Sequence, residues 1–445
     1  MIKKLILVGA GHAHLAVLQR LTQQQLRDTE VSLICAERYQ AYSGMLPAWM
    51  AGYVTASTLQ IDLLPLCQAA GVTWIQEHML GMDAQQRCIA TQQHPHLVYD
   101  VLSLNTGADT NLSWLSAVGD RLLPIRPLSS FIHQWPLIVT QATQQPSYQL
   151  AIVGAGAAAV ELAMAAQVDL QRISPQHQVT LVCGKQLLPA FSAAQVKRVI
   201  RQLQHLQINI EYARAAGTRQ GLLLSDGRTL IADQVIAATG TTAPVWTQRA
   251  KLACSTDGFI LVSTTHQSIS HPDIFAVGDV CQRSDQLMAR SGVHAVHAGK
   301  VLAHNLLAHL NQQPLQSYRP KKYSLYLLSC GTPYAIGCWG KYHVEGTWVW
   351  RLKQSIDHGF VQRYRIDATD HAGQTFWKIW FARNTQRTAI KVALVVGTVL
   401  NLINQGAALW GDSTISWLHL LLNYIVPYSV ASYSAVRTQL TRQEP

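Results

Sequence analysis

Two similar glycine-rich turns in this sequence could each bind the pyrophosphate of a dinucleotide. Gly9 and Gly11 follow the apolar run LILV, and Gly154 and Gly156 follow the apolar run LAIV. A Gly-x-Gly turn between a buried parallel strand and a helix lets the backbone approach a pyrophosphate at the helix N-terminus. The repeat therefore predicts two dinucleotide sites in one chain.

Both turns depart from the usual pattern. His14 stands at the third glycine position of the first turn, where a small residue normally allows close packing of helix and strand, whereas the second turn has the small residue Ala159 there. Cys35 and Cys183 stand where an acid would bind the ribose of the nucleotide, and Glu37 is a possible substitute for the first of them. No carboxylate would reject a 2′-phosphate at the second turn, so NADH and NADPH both remain open.

The elements around each turn predict a β-α-β unit. A helix over residues 13–25 and a strand over residues 31–35 follow the first turn. A helix that begins at Ala157 and a strand over residues 179–183 follow the second turn. The similarity of the two halves therefore extends beyond the glycines to a Rossmann-like arrangement.

Three later apolar segments predict how the two halves are connected. Residues 99–108 and 232–244 each contain a buried strand that runs into Thr-Gly, and residues 271–280 contain a strand that runs into Gly-Asp. An amphipathic helix over residues 292–307 follows. This order predicts one nucleotide-binding domain, a second domain inserted inside it, and a return to the first.

The composition favours a membrane surface over nucleic acid. Apolar residues make up 49% of the chain and charged residues 13%, whereas soluble proteins contain about 25% charged residues. The formal charge of +11 is not concentrated in a Lys/Arg-rich run, so we predict no nucleic-acid partner. The cysteines form no C-x-x-C pair, and His12 and His14 do not share a helix face, so we predict no local redox disulfide and no metal site.

Residues 338–364 contain the pattern of an amphipathic helix. Apolar residues recur at helical spacing from Val349 to Phe360, with basic residues on the flanks. Such a helix can lie in a membrane interface or pack on a sheet as an ordinary surface helix, and its own pattern leaves both open. The run FWKIWFAR at residues 376–383 favours the membrane, because aromatic residues concentrate at the headgroup level.

Two apolar segments near the C-terminus predict a transmembrane hairpin. Residues 388–410 and 414–436 are each long enough, at about 1.5 Å per residue, to cross a hydrocarbon core of about 30 Å. Positive residues flank the hairpin and its turn has none, so the positive-inside rule places both termini in the cytoplasm. We therefore expect the cytoplasmic membrane, with the nucleotide-binding domains facing the cytoplasm; a hydrophobic hairpin docked on a partner is the alternative.

With these landmarks, the sequence resembles the FAD- and NAD(P)-dependent pyridine nucleotide-disulfide oxidoreductase superfamily. The motifs VGAGAAAVELA, ATG and VGDV match it in the right order. Within the superfamily, the stretches GHAH, YSGMLPAWMAGY and EGTWVWRLKQSIDHGF are similar to the flavoprotein domain that is fused to selenide, water dikinase. That domain is a relative of type II NADH dehydrogenases.

The resemblance implies FAD in the first domain and NADH or NADPH in the inserted domain. It implies that Glu161 lies near the nicotinamide and the flavin and orients the nicotinamide ring for hydride transfer, which makes Glu161 the expected catalytic residue. The residues implied to bind the two cofactors are Gly9, Gly11, Glu37, Met45, Gly107, Gly154, Gly156, Ala159, Gly240, Gly278 and Asp279. In a purely structural alternative, Glu161 and Asp279 only stabilise helix starts, where carboxylates are favoured anyway.

The expected fold class is α/β, with two Rossmann-like dinucleotide-binding domains, one inserted in the other, and a C-terminal α-helical transmembrane hairpin. The FAD-binding domain comprises residues 1–115 and 233–320, and the NAD(P)H-binding insertion comprises residues 116–232. Residues 321–382 form a C-terminal interface segment, and residues 383–445 form the hairpin.

These features predict a membrane-anchored enzyme that passes a hydride from NAD(P)H to FAD and electrons on to an acceptor. The segment SGMLP at residues 43–47 lies where disulfide reductases of the superfamily carry two cysteines. Without those thiols the electrons must leave the flavin directly, and a quinone in the lipid bilayer is the expected acceptor. A further alternative is a module that binds flavin but has lost enzymatic turnover.

The tail is similar to a small two-helix membrane family linked to nitrate and nitrite transport. The stretches KVALVVGTVLNLINQGAAL and LLLNYIVPYSVASYSAV carry this resemblance. It implies an alternative function, a transporter subunit whose flavoprotein domain senses or supplies redox state. The polar residues inside these stretches need partners across helices or along a polar pathway, and two helices cannot enclose an anion path, so transport would require a homo-oligomer.

Overall fold

The strand before each glycine turn lies at the centre of a parallel sheet. This is seen in a computed structural model of the chain, which describes residues 2–288, 292–321, 323–366, 380, 383–405 and 417–441. The chain divides into two compact units, Met1–Arg365 and Ile366–Pro445.

The strands and helices of the described residues are numbered here in chain order. The strands are β1 (Lys3–Val8), β2 (Thr29–Ile34), β3 (Tyr39–Ala41), β4 (Gln60–Asp62), β5 (Thr73–Ile75), β6 (Gly81–Asp83), β7 (Cys88–Ala90), β8 (Leu97–Val98), β9 (Val101–Leu104), β10 (Asp109–Thr110), β11 (Leu122–Pro124), β12 (Gln149–Val153), β13 (Gln178–Val182), β14 (Asn209–Glu211), β15 (Ala215–Thr218), β16 (Gly221–Leu224), β17 (Thr229–Ile231), β18 (Gln234–Ala237), β19 (Thr241–Thr242), β20 (Ile260–Val262), β21 (Ile274–Ala276), β22 (Cys281–Arg283), β23 (Leu325–Ser329), β24 (Ala335–Trp339) and β25 (Tyr342–Gly346). The helices are α1 (His12–Gln23), α2 (Leu46–Met50), α3 (Ala56–Leu59), α4 (Leu63–Ala70), α5 (Leu128–Thr143), α6 (Ala157–Gln171), α7 (Ala193–His205), α8 (Gly292–Leu310), α9 (Thr347–Tyr364), α10 (Arg383–Gln405) and α11 (Trp417–Thr441).

The first sheet is parallel throughout and has the order β21-β9-β1-β2-β5. Leu5 and Leu7 on the central strand are completely buried, as expected for a strand covered on both faces. The edge strand β21 lies more than a hundred residues after β9 in the sequence, and yet the two strands pair, Phe275 with Ser103. The first domain is therefore interrupted by an insertion, as the sequence predicts.

The second sheet is also parallel and has the order β11-β18-β12-β13-β14. Its central strand β12 runs into the second glycine turn and then into α6, which begins at Ala157 as expected. Its strand β18 pairs with β12 and covers Gln234–Ala237. The inserted domain therefore extends past the boundary at residue 232 that the sequence suggests.

The two connections between the domains are bonded to each other. The short strands β10 and β19 pair antiparallel, with Asp109 opposite Thr242. The hydroxyl of Thr239 donates to the carbonyl oxygen of Asn111 at 2.8 Å, and the N–H of Asn111 donates to the carbonyl oxygen of Gly240 at 3.1 Å. The two Thr-Gly landmarks therefore mark the place where the chain passes between the two domains.

A C-terminal layer consisting of β23, β24, β25 and α9 packs on the inserted domain. The antiparallel sheet buries Leu328, Ile336 and Cys338 in the core that also contains α6 and α7. α9 confirms the expected helix, and it buries Val349 and Phe360 of the predicted apolar stripe. Leu352 and Ile356 are 41% and 47% exposed, because the register of the helix turns Lys353 and Asp357 inward instead.

The second unit contains α10 and α11, which pack antiparallel through polar contacts. Asn423 Nδ2 donates to Asn401 Oδ1 at 2.8 Å, and the hydroxyl of Tyr428 donates to Gln386 Oε1 at 2.6 Å. Many apolar side chains of both helices face outward. Among the described residues, one stretch, Thr385–Asn404, is long and apolar enough to cross a membrane.

Two sequence expectations fall on residues outside the described set. The turn expected between the two apolar segments lies in residues 406–416, and the aromatic run at residues 376–383 lies almost entirely outside as well. α11 contains Pro427 and does not meet the same length and hydropathy criterion as α10. The transmembrane hairpin therefore stays a prediction.

Candidate functional site

The first glycine turn is closed from behind by Asn105, which follows β9. Gly9 has φ +81°, and a Cβ atom at this residue would lie 2.6 Å from the carbonyl oxygen of Asn105. A Cβ atom at Gly11 would overlap the side-chain amide of Asn105. Glycine is therefore required at both positions by contacts inside the protein, which leaves the outer side of the turn to a ligand.

The side chain of Asn105 joins three segments of the first domain. Its Oδ1 accepts from the N–H groups of Ala13 and His14 at 3.2 Å, in the first turn of α1. Its Nδ2 donates to the carbonyl oxygen of Val277 at 2.7 Å, at the end of β21. A Cβ atom at Gly278 would lie 2.8 Å from that Nδ2. Asn105 therefore fixes the first turn against the Gly-Asp landmark.

His14 fills the space that a third glycine would leave between helix and strand. It is completely buried, with Nδ1 2.5 Å from the carbonyl oxygen of Gly9 and Nε2 2.8 Å from the hydroxyl of Ser103. Burial lowers its pKa to about 4, against an opposing effect of the Gly9 carbonyl. His14 is thus a neutral structural bridge beneath the turn.

Asp279 lies at the edge of the first site and is held by a residue from the inserted domain. Arg126 Nη2 donates to Asp279 Oδ2 at 2.8 Å. The carboxylate of Asp279 is close enough to His12 to raise the pKa of the imidazole. Burial has the larger effect and lowers the pKa of His12 to about 4. This placement fits an acid that bonds a cofactor lying along Gly9, Gly11 and His12.

The second glycine turn is built with less internal packing. A Cβ atom at Gly154 would overlap the carbonyl oxygen of Ala238, and Ala159 beneath the turn is completely buried. A Cβ atom at Gly156, by contrast, would meet no atom within 4 Å. The first residues of α6 therefore face open space, as a dinucleotide pyrophosphate requires.

The predicted catalytic residue, Glu161, is partly buried beside the C-terminal layer. Its Oε1 accepts from the N–H of Ser329 at 2.8 Å. Burial raises the pKa of its carboxyl to about 7, and Asp357 adds to this rise, whereas Lys353 and the Ser329 bond oppose it. Glu161 therefore exchanges a proton near neutral pH, which an exposed glutamate does not do.

A buried ion pair on α9 faces Glu161. Lys353 Nζ donates to Asp357 Oδ2 and to the carbonyl oxygen of Gly44, both at 2.8 Å. Burial lowers the pKa of Lys353, but the carboxyls of Glu161 and Asp357 more than offset it and leave the pKa above its usual value. The inserted domain, the C-terminal layer and the segment SGMLP thus meet at one cluster of charges.

Aromatic rings lie next to this cluster on the side of the first turn. Tyr42 stacks on Phe360 with ring centroids 4.3 Å apart, and His12 lies edge-on to both. Burial raises the pKa of Tyr42, and the charges of Asp357 and Glu161 raise it further. A chain of neighbours therefore connects Asp279 through His12 and Tyr42 to Glu161.

The remaining predicted cofactor residues are spread around the two turns. Gly107, with φ +78°, and Gly240 have open space where a Cβ would be. Met45 is completely buried next to Gly44. Glu37 lies at the exposed end of β2, where it accepts a hydrogen bond from Ser129 at 3.2 Å. The structure thus brings every predicted position to the edge of one of the two sheets or to the SGMLP segment.

Three residues of the site escape prediction from the sequence. Asn105 had a weak signal, because it directly precedes a Thr-Gly landmark. Lys353 and Asp357 had a better one, since opposite charges four residues apart share a helix face. Charged residues usually lie on an exposed face of a helix. Only the packing of α9 shows that Lys353 and Asp357 are buried.

The comparisons with known proteins agree with this two-turn geometry. The sequence profile of the family described as "Pyridine nucleotide-disulphide oxidoreductase" matches residues 3–299. Ferroptosis suppressor protein 1 of Taeniopygia guttata is 24% identical over 298 residues, which cover 64% of this chain and 75% of that protein. The residues matched by the family profile contain both glycine turns and end before the C-terminal layer.

Two solved structures share the fold at low sequence identity. Sulfide:quinone oxidoreductase of Aquifex aeolicus superposes with a TM-score of 0.70 at 16% identity, over 82% of this chain and 91% of that chain. NDH2 of Plasmodium falciparum, solved in complex with NADH, superposes with a TM-score of 0.67 at 14% identity, over 80% and 98%. Both similarities establish the fold, and the family match does not reach the tail on which the nitrate and nitrite resemblance rests.

Proposed function

This chain belongs to the pyridine nucleotide-disulphide oxidoreductase family, whose members use FAD and NAD(P)H, and from that premise we propose that it is a membrane-anchored NAD(P)H dehydrogenase that reduces a quinone. FAD would be held at Gly9, Gly11 and Asp279, and the nicotinamide nucleotide at Gly154 and Gly156. FAD, when bound, supplies the means to accept a hydride and to release two electrons. The quinone, the membrane and the type II NADH dehydrogenase-like activity are parts of this proposal.

The observation that carries the proposal is the buried cluster of Glu161, Lys353 and Asp357. Reduction of a quinone by NAD(P)H takes up one proton besides the transferred hydride, so a proton must be held close to the reacting rings. Glu161, with a pKa of about 7, can hold one at its carboxyl at neutral pH, and Lys353 holds another at Nζ. Hydrogen bonds to Ser329 for Glu161, and to Asp357 and Gly44 for Lys353, hold both groups at fixed positions.

A thiol relay is not available in the described residues. SGMLP carries no cysteine, and all eight cysteines of the chain are free. Cys330 is the cysteine that follows the Ser329 contact of Glu161, but it is completely buried, and burial raises the pKa of its thiol. A diffusible acceptor is therefore the simpler exit for electrons than a protein disulfide.

The lipid bilayer is proposed as the source of that acceptor. α9 exposes Trp348, Leu352 and Ile356 and buries Lys353 and Asp357, so the same helix covers the ion pair and presents apolar groups on its outer surface. Aromatic and apolar side chains on such a face are typical of a membrane interface. In the other unit, Thr385–Asn404 could cross the bilayer, and the positive-inside rule favours a cytoplasmic flavoprotein domain.

A transporter function has less support from the contacts in the hairpin. Asn401 and Asn423, two of the polar groups that a pathway would use, bond to each other between α10 and α11. Such pairs hold helices together in an apolar medium. We therefore propose anchoring as the role of the hairpin.

The enzyme proposal is tested by purifying the full chain in detergent and titrating it with NADH and NADPH in the absence of oxygen. We expect copurifying FAD, bleaching of its visible absorption by at least one nucleotide, and reoxidation by added quinone. Glu161→Gln should slow quinone-dependent turnover by about a hundredfold, the lower range for loss of an acid or base. Glu30→Gln, at an exposed glutamate on β2, is the matched control and should change nothing.

Two results would contradict this reading. Flavin that neither nucleotide reduces would leave a binding module without turnover. Reduced flavin that quinones cannot reoxidise would exclude the proposed acceptor. For the membrane, the full chain should stay in the pellet when membranes are washed with alkaline carbonate, and release into the supernatant would exclude an integral hairpin.

A further inference from the structure

His12 is fixed from several sides at the point where the first glycine turn becomes a helix. It is the first residue of α1, directly after Gly11. Its ring centroid lies 5.5 Å from those of Tyr42 and Phe360, at interplanar angles of 87° and 62°. Its Cε1 lies 3.7 Å from the place that a Cβ would take at Gly292, the first residue of α8. The imidazole therefore has one defined orientation.

The Nε2 atom of His12 is buried and has no hydrogen-bond partner among the described residues. The neighbouring histidine is different, because both ring nitrogens of His14 are bonded inside the protein. Buried polar atoms in native proteins nearly always have a partner. An unpaired nitrogen in the interior of a cofactor cradle therefore indicates a bond to the molecule that the cradle holds.

The surroundings of His12 identify which molecule that is. Gly11 precedes His12 directly and Asp279 is close enough to raise its pKa, and both are groups that fit FAD. Tyr42 and Phe360 stack on each other and leave no gap between their rings for an acceptor. Because burial keeps the imidazole uncharged near neutral pH, it carries a single N–H.

We propose that His12 donates a hydrogen bond from Nε2 to the bound flavin and thereby stabilises its reduced form relative to its oxidised form. The inference rests on FAD occupying the first site, and not on the identity of the acceptor. A donor favours the state in which the ring carries more electron density, so the bond raises the reduction potential of the flavin. His12 acts here as a positioning and tuning residue.

The test uses the full chain in detergent, loaded with FAD, and the variants His12→Phe and His12→Gln. The readouts are the midpoint potential, measured by dithionite titration against reference dyes, and the visible absorption bands of the oxidised flavin. His12→Phe should favour the oxidised form about tenfold, which for a two-electron couple lowers the midpoint by about 30 mV. His12→Gln keeps a donor and should recover part of this shift. His205→Phe, at an exposed histidine that ends α7, is the matched control.

Dithionite reduces the flavin without a nucleotide, so the potential can be measured even if neither NADH nor NADPH is a substrate. Failure of the proposed function and failure of this inference are therefore separate results. A midpoint equal to that of the unmodified chain in both variants would overturn the inference. An unchanged midpoint together with a raised KM for quinone would do the same, since Nε2 would then face the acceptor. If folded His12→Phe loses FAD, the midpoint of His12→Gln decides: a value below that of the unmodified chain supports the inference, and an equal value overturns it.

Discussion

The two glycine turns begin from nearly the same sequence and are completed in different ways. Behind the first turn, the side chain of Asn105 occupies the space beside Gly11 and bonds two N–H groups of α1. At the second turn, the space beside Gly156 is open. The first site is thus built into the core of its domain, whereas the second remains accessible.

This difference matches the two kinds of ligand that the family uses. A cofactor that stays bound through many turnovers benefits from a rigid turn whose internal hydrogen bonds are already made. A nucleotide that enters and leaves in each turnover needs open backbone groups. One supersecondary unit can therefore serve both purposes, because the residues behind its turn, and not the turn itself, set the rigidity.

The largest expected effect comes from placing alanine at equivalent positions of the two turns, Gly11 and Gly156, and comparing the results. Gly11→Ala places a methyl group on the amide of Asn105, which has to move and give up its bonds to Ala13 and His14. Overpacking of about 1–3 kcal/mol and lost hydrogen bonds of about 1 kcal/mol each predict an FAD affinity roughly a thousandfold lower. Isothermal titration of the apoprotein with FAD measures it.

Gly156→Ala is the matched variant at the second turn. Its methyl group meets open space, so the protein should fold normally and keep FAD. The KM for the nicotinamide nucleotide should rise about tenfold, because the added carbon lies where the backbone must approach a pyrophosphate. If FAD binding were lost in Gly156→Ala and kept in Gly11→Ala, the assignment of the two turns would be reversed.

The next effect concerns pH, because His14 beside the first turn and Glu161 beside the second have pKa shifts of opposite sign. Burial lowers the pKa of His14 from 6.5 to about 4, so its contribution to stability is complete above pH 6.5 and is lost as the pH falls through 4. Burial raises the pKa of Glu161 from 4.5 to about 7, so its contribution is complete below pH 4.5 and is lost as the pH rises through 7.

In the unmodified chain, ionisation of Glu161 lowers the free energy of unfolding as the pH rises from 4.5 to 7. Glu161→Gln should remove this decrease. The free energy of unfolding of the variant, minus that of the unmodified chain, should be up to roughly 3 kcal/mol higher at pH 7.5 than at pH 5. Thermal unfolding followed over this pH range measures the difference. Glu30→Gln should show no such trend, and a parallel pH profile for Glu161→Gln would mean that Glu161 is not buried in the folded protein.

A smaller effect compares the residues beneath the two turns. His14→Ala leaves a cavity and removes the partner of the Ser103 hydroxyl, which predicts a loss of about 2–3 kcal/mol in the free energy of unfolding. Ala159→Gly removes one methyl group from a helix and should lose about 1 kcal/mol. Denaturant unfolding of both variants gives the comparison. Equal losses would show that His14 is no more than a space filler.

The sequence predicted the parts of the site that lie close together along the chain. Apolar runs before Gly9 and Gly154 were sufficient to find both β-α-β units, although the strand expected over residues 99–108 is only Val101–Leu104. The sequence could not predict that Lys353 reaches the carbonyl oxygen of Gly44, because periodicity says which face of a helix is apolar and not what covers it. On α9, Val349 and Phe360 of the apolar stripe are buried together with the charged pair while Leu352 and Ile356 are exposed, so the pattern indicates the buried face only in part.

The smallest expected effect concerns the strand ends where both halves carry a thiol instead of an acid. Cys183 Sγ donates to the carbonyl oxygen of Glu211 at 3.6 Å, and burial raises the pKa of the thiol to about 11, so it carries no charge that could repel a phosphate. The carboxylate of Glu211 is paired with Arg228, and Lys185 lies exposed two residues after Cys183. We therefore expect NADPH to be accepted at least as well as NADH.

Cys183→Asp would introduce an acceptor for the ribose 2′-hydroxyl and a charge against the 2′-phosphate. The ratio of kcat/KM for NADPH to that for NADH should fall about tenfold, within the range for one charged contact. Steady-state kinetics with both nucleotides measures this ratio. Cys35→Asp is the equivalent change in the first half and should leave the ratio as it is, because the nucleotide of FAD carries no 2′-phosphate and does not exchange. A change of the ratio in Cys35→Asp alone would place the exchanging nucleotide in the first half, and the contrast between a built-in and an open turn would then be wrong.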